Sequence, residues 1–186
     1  MMSGTLVNTP NRFGLITRLL HWATAIAVLG LLVLGTYIAR MQVNLSNLWL
    51  FGLHKSIGVT ALLLTLLRIA WHIWTPPPPP LPDARWRIAL ARAVHRAIYA
   101  LLLLTPIFGW AASSATGLDV VVFNRWTLPA MAPVSEAWET ALFLIHRVLA
   151  TTLAVLIVVH VAGALTRRDG TLWRMIWGRP VPPHGA

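Results

Sequence analysis

The stretch Leu142 to Arg168, LFLIHRVLATTLAVLIVVHVAGALTRR, leaves this chain few options. It is long and apolar enough to cross a bilayer as a helix, yet it carries His146 and His160, fourteen residues apart. At about 100° per residue, fourteen steps return to within roughly 40° of the starting direction, so both rings share one helix face. A rise of about 1.5 Å per residue separates them by roughly 21 Å, most of a hydrocarbon core about 30 Å thick. One helix thus offers an imidazole near each membrane surface, both pointing the same way. Ionisable side chains inside a span are costly and mark functional positions. The geometry suits two stacked haems, one towards each leaflet, and the rest of the chain must supply the partner ligands.

Composition agrees with a membrane protein. Of 186 residues, 57% are hydrophobic and only 11% charged, and the mean hydropathy is +0.69. That leaves room for about four spans of ~20 residues with short connections, and none for a separate soluble domain. The net charge of +10 does not imply nucleic acid, because most arginines flank apolar runs instead of forming a solvated basic face. Cysteine is absent, which excludes disulfides, iron–sulfur clusters and thiolate metal sites. Histidine is the strong ligand type that remains, with seven copies.

The expected fold is all-α, an integral membrane four-helix bundle with two b haems between the helices. Spans are expected at about 17–39, 48–74, 90–113 and 137–166, with a surface helix at about 171–177, all in one membrane domain. The first apolar run is too long for a signal-peptide core and ends without a cleavage site. His21 lies near its start. The second span carries His54 and Lys55 near its beginning and Arg68 near its end. His54 and Arg68 share a face, so Arg68 either meets an anion such as a haem propionate or snorkels to the surface. Pro76 to Pro80 then run as extended polyproline II outside the bilayer. The third span has His95 near its start, and the long connection after it includes VVVF, apolar enough to lie against the bundle as a small lid. Ser135 and Glu136 suit the N-terminus of the fourth helix, and Gly170 suits its end. In the tail, Leu172, Trp173, Ile176 and Trp177 recur at helical spacing around Arg174, as in a helix lying on the membrane surface.

Ten of the fifteen cations fall in the N-terminus (Arg12, Arg18), the second connection (Arg85, Arg87, Arg92, Arg96) and the tail (Arg167, Arg168, Arg174, Arg179). With four spans these lie on one side, so both termini are expected in the cytoplasm. His21, His95 and His160 then fall towards the cytoplasmic side, and His54 and His146 towards the outer side. A bis-histidine haem takes two imidazoles from facing helices at one depth. His54 therefore pairs with His146, and His160 pairs with His21 or His95. His72, at a helix end, and His184, in the tail, read as surface residues. A histidine-lined metal transporter is disfavoured, because the spans offer almost no carboxylate oxygen.

The motifs RLLHW at 18–22, LHKSIGV at 53–59, HRAIYALLLLTPIFGW at 95–110, the His146/His160 pair and RDGTLWRM at 168–175 keep one order along nearly the whole chain. On these the chain resembles the prokaryotic cytochrome b561 family, to which bacterial superoxide oxidase belongs. More distantly it is similar to the membrane cytochrome b subunits of formate dehydrogenases and hydrogenases. The resemblance implies that His21 and His160 ligate an inner haem, that His54 and His146 ligate an outer one, and that His95 is left for a quinone site near the inner haem. It implies a protein of the bacterial inner membrane that oxidises superoxide and reduces ubiquinone. Lys55 and Arg147, each next to an outer ligand, are then candidates either to attract superoxide or to neutralise propionates. The competing expectation is a membrane anchor that takes electrons from a periplasmic dehydrogenase or cytochrome. Lipid, superoxide, ubiquinone and such a periplasmic redox protein are the expected partners; nucleic acid is not.

Overall fold

The structure, a computed structural model, describes residues 6–167 and 169–180; His184 lies outside them. In order it comprises α1 (Leu15–Ile38), α2 (Trp49–Trp74), α3 (Arg85–Ala115), β1 (Val120–Val122), β2 (Trp126–Leu128), α4 (Glu136–Thr166) and α5 (Thr171–Ile176). Among the described residues α1 to α4 are the four helices long and apolar enough to cross a membrane. α1 packs along α2 and α3 along α4, while α2 and α3 join the two pairs into a bundle.

The bundle turns much of its apolar surface outwards. Ile26, Val33 and Val158 are 71%, 73% and 68% exposed, which suits hydrocarbon and not water. Several hydroxyls in the spans bond within their own helix: Thr24 donates to the Leu20 carbonyl, Ser56 to that of Gly52 and Thr65 to that of Ala61. At mid-height Val28, Ala61, Leu101, Leu102 and Leu153 form one buried cluster drawn from all four helices. Leu153 stands midway between His146 and His160 in sequence, so this apolar layer separates the two histidine depths.

α3 is longer than its apolar run, starting at Arg85 instead of about 90 and ending at Ala115. Its 31 residues span about 46 Å against roughly 30 Å of hydrocarbon. Hydropathy marks where the membrane begins, whereas good helix formers such as Arg85, Arg87 and Ala89 carry the helix on into the polar zone. α4 begins beside Ser135 as expected, with Glu136 and Glu139 in its first turn, where the helix dipole favours acids. It ends at Thr166, the expected limit of the span, so Gly170 does not cap it. Arg167 leaves helical geometry and pairs with Asp83, 3.4 Å away, and with Asp169. Partial burial pushes the Asp169 carboxyl up, but hydrogen bonds from Arg167 and Thr171 outweigh it and bring it down to about 2. Gly170, at φ 86°, instead opens α5.

The segments at the end of the bundle where α1 begins interlock around Asn8. Its amide donates to the carbonyls of Thr75 and Pro76 at 2.9 and 3.2 Å, while its oxygen accepts from the Gly14 N–H and the Thr17 hydroxyl. The proline segment, which has no hydrogen-bond ladder of its own, is thereby fixed to the start of α1. α5 closes over it from the other side. Arg174, expected on an open surface helix, is instead buried against Phe13 and donates to the Pro79 carbonyl at 3.4 Å. Burial pulls its guanidinium below its ordinary pKa, but the carbonyl and the Phe13 ring face stabilise the charge.

At the opposite end, outer in the expected orientation, the segment containing VVVF forms an antiparallel hairpin with Val120 opposite Leu128 and Val122 opposite Trp126. Val120 and Val122 point inwards and are buried, as period-two alternation requires. The three-residue turn has Phe123 and Asn124 in the left-handed region, at φ of 49° and 53°, and is closed by the Arg125 N–H on the Val122 carbonyl at 3.0 Å. Phe123 is an unusual residue there, and its N–H is held by the Ser56 hydroxyl at 2.9 Å, two positions beyond His54.

Candidate functional site

Six histidines lie among the described residues, and five of them gather at two depths of the bundle. Near the outer end His54 of α2 faces His146 of α4, with ring centroids 6.3 Å apart and planes at 86°. Near the inner end His21 of α1 faces His160 of α4, again at 6.3 Å, with planes at 64°. An iron between two imidazoles lies about 2 Å from each nitrogen, with each ring centre about 1 Å further, so the centres stand about 6 Å apart. Both pairs fit that spacing. His95 does not: its centroid is 4.9 Å from that of His160, in edge-to-face contact that leaves no room for a metal between them. The depth sorting expected from sequence is thus met by side chains that face each other. Depth left the choice between His21 and His95 open; of the two, His21 stands at the 6.3 Å spacing from His160.

Hydrogen bonds orient some of these rings. Nδ1 of His146 lies 2.8 Å from the Thr105 carbonyl of α3, so Nδ1 carries the hydrogen and Nε2 keeps its lone pair. Nδ1 of His95 lies 2.6 Å from the Ala91 carbonyl, one turn back on its own helix, which frees Nε2 in the same way. The buried Nδ1 atoms of His21 and His54 have no hydrogen-bond partner among the described residues.

Two glycines make the outer pair possible. A Cβ on Gly109 would lie 2.8 Å from Cε1 and 2.9 Å from Nδ1 of His146, and one on Gly35 would lie 3.0 Å from Cε1 of His54. Without a side chain at Gly109, the His146 ring lies against α3 and reaches the Thr105 carbonyl. Gly109→Ala is therefore expected to push the ring off that carbonyl and weaken haem retention at the outer site roughly 10- to 100-fold, the usual cost of losing an outer-shell partner. Gly30→Ala, where a Cβ meets nothing within 4 Å, should leave it unchanged. Titrating haem into the two variants measures both.

The cations expected near the ligands separate into distinct roles. Lys55 sits beside His54, with Nζ 3.4 Å from the Asp119 carbonyl at the foot of the hairpin. Arg147 is exposed, and no side-chain contact joins it to the histidine pair among the described residues. Arg68 is drawn inwards, its Nε buried without a partner and its guanidinium carbon 5.2 Å from the centre of the Tyr99 ring. His72 is not a surface residue: it is half-buried, Nδ1 lies 3.3 Å from the Tyr99 hydroxyl, and Nε2 is buried with no partner. Its position at the end of α2 suggested exposure, but α3 reaches past that end and covers it.

Sequence reading also passed over Gly35, Gly109 and Thr105. Gly35 stands fourteen residues after His21 and Gly109 fourteen after His95, the same-face relation that links His146 to His160. A glycine one layer along a histidine face is the signal that identifies them.

The residues fit b haem. Each depth offers two imidazoles at the spacing of axial ligands, and among the described residues no three His, Cys, Asp or Glu side chains are grouped to hold an ion. Two protein ligands suit a metal whose other positions come from a macrocycle. Arg68, a buried cation without a carboxylate partner, suits the propionates such a macrocycle carries.

Comparison with known proteins points the same way. The family described as prokaryotic cytochrome b561 matches residues 12–178. Cytochrome b561 homolog 2 of Escherichia coli strain K12 is 34% identical over 189 aligned positions, covering 97% of this chain and 99% of that protein. Probable superoxide oxidase CybB of Yersinia pestis is 29% identical over 133 positions, covering 69% of this chain and 75% of that one. With four apolar helices and a family match over most of its length, the chain is a membrane electron-transfer protein of the prokaryotic cytochrome b561 family.

Proposed function

We propose that the chain is a di-haem superoxide:ubiquinone oxidoreductase of the bacterial inner membrane, with both termini cytoplasmic. The observation that carries this reading is the pair of imidazole couples, each with centroids 6.3 Å apart, at two depths of one bundle. His54 and His146 would hold an outer haem and His21 and His160 an inner one, with Arg68 beside an inner propionate. When bound, the haems supply one-electron centres. Two superoxide anions release two electrons as dioxygen, and ubiquinone takes those electrons with two protons to become ubiquinol. Lys55, next to His54, provides positive charge on the side where an anionic donor arrives. Arg147 provides charge beside His146 from an exposed position. His95, in contact with His160 and exposed towards the inner depth, is the candidate to bind a quinone oxygen.

The test is to mix purified, oxidised protein with superoxide while recording the haem bands. Reduction is expected without quinone, followed by reoxidation when ubiquinone is added, in a protein carrying two haems per chain. Bands that stay oxidised under superoxide overturn the donor assignment. One haem per chain overturns the paired-ligand assignment.

A second reading is favoured by the outer hairpin, whose tip exposes Phe123 and Trp126. An apolar patch over the outer histidine pair suits docking of a periplasmic redox protein that delivers electrons by contact. Protein inert to superoxide but reduced by a co-purifying haem or flavin subunit would establish this reading.

A further inference from the structure

Arg68 and His72 lie one helical turn apart on α2, and each has a buried side-chain nitrogen with no hydrogen-bond partner among the described residues. The phenol of Tyr99 lies 3.3 Å from His72 Nδ1, and the Tyr99 ring lies under the Arg68 guanidinium. With the phenol donating to Nδ1, the hydrogen of the neutral imidazole sits on Nε2. Two neighbouring N–H groups, Nε of Arg68 and Nε2 of His72, then stand buried without acceptors. An unsatisfied buried donor costs about 1–3 kcal/mol, and more when the group is charged. A pair on one face is a strong demand for oxygen.

The described residues do not meet that demand. The chain holds only five acidic residues. Asp119, Glu136 and Glu139 belong to the outer end of the bundle. Asp83 is engaged by Arg87 and Arg167, and Asp169 by Arg167. The anion that Arg68 needs must therefore come from a bound group.

We infer that Arg68 and His72, with Tyr99 as the positioning residue, form a clamp for a carboxylate carried by the inner haem. This rests on the di-haem reading above and adds His72 and Tyr99 to it. The occupant is a carboxylate because one donor is a full cation, and Arg68 lies over Tyr99, one turn along α3 from His95, whose ring touches His160, a proposed inner ligand. A carboxylate on a haem held between those two rings would take a hydrogen bond from each donor. Tyr99 works indirectly, by keeping the Nε2 hydrogen of His72 pointed at the carboxylate.

The test is a spectroelectrochemical titration of haem-loaded protein, with haem content measured first. Arg68→Gln should keep both haems and weaken the reduced state of one of them about tenfold, which is about 59 mV for one electron. Arg68→Lys, which keeps the charge, should recover most of that shift. His72→Leu and Tyr99→Phe should shift the same haem in the same direction by less, and His72→Gln, which retains an N–H, should restore it. Potentials unchanged in Arg68→Gln and His72→Leu overturn the clamp. So does a raised KM for ubiquinone at unaltered potentials, which would make these donors a quinone site. A wild-type protein holding one haem would defeat the two-haem reading instead; the clamp then survives only if Arg68→Gln still lowers the potential of that haem.

Discussion

Alanine at His54 or at His146 is expected to remove one of two haems, leaving about half the haem absorbance and one haem that still titrates as low-spin. The imidazoles stand 6.3 Å apart across the outer end of α2 and α4, and no other described histidine lies at that depth to substitute. A macrocycle held by one axial ligand loses both a bond and the low-spin state that two nitrogen ligands impose. The inner couple should behave in the same way, so that His21→Ala and His160→Ala each remove the other half. Gly30→Ala is the control, since a Cβ there meets nothing within 4 Å. Haem assay and dithionite-reduced spectra of the purified variants decide the matter. Two haems retained in His146→Ala would show that the facing geometry is packing and not ligation. If His95→Ala loses a haem while His21→Ala does not, the inner couple has been assigned to the wrong partner.

Much of this arrangement was legible before any coordinates, because a membrane simplifies the code. Long apolar runs fix helices, arginine asymmetry fixes their direction, and a histidine's distance from a span end fixes its depth. Those three quantities are one-dimensional, and they sufficed to sort five histidines into two layers. What they leave out is rotation about the helix axes. Depth alone allowed either His21 or His95 to face His160; only the facing geometry separates 6.3 Å from 4.9 Å. Rotation also explains Arg147, which shares the depth of His146 but is exposed. The polar ends escaped for another reason. Arg174, Asn8 and His72 owe their burial to contacts between segments far apart in sequence, such as Asn8 with Thr75 and Arg174 with Pro79. Composition shows no sign of such pairings. The hairpin at 120–128 is similar: its three-residue strands are too short for alternation to stand out, and its turn uses Phe123 where Asn or Gly would announce it.

Alanine at His95 is expected to leave both haems in place and to slow reoxidation by ubiquinone by about a hundredfold. The first half follows from the 4.9 Å contact with His160, which is too close to share an iron. The second follows from what the ring can still do. Its Nδ1 is committed to the Ala91 carbonyl at 2.6 Å, which leaves Nε2 as the free nitrogen on an exposed ring. His95 lies about 15 Å along α3 from its start at Arg85, on a helix that begins outside the hydrocarbon, so it sits close to the aqueous boundary. A quinone head group partitions to that depth, and the two protons that ubiquinol requires can reach it there. Imidazole is the side chain whose unperturbed pKa lies nearest neutrality, which suits it to bond a quinone oxygen and pass on a proton. The competing role is packing alone, with His95 holding the His160 ring at its edge. The two are separated by measuring three things on one variant: haem content, reduction by the outer donor, and reoxidation by ubiquinone. Loss of the third with the first two intact supports quinone chemistry at His95. Unchanged reoxidation, or reoxidation that falls only together with inner-haem content, assigns the residue to packing. His95→Gln refines the result: it keeps a hydrogen-bond donor but cannot titrate, so its rate should fall between those of wild type and His95→Ala if the ring both binds the quinone and supplies its proton.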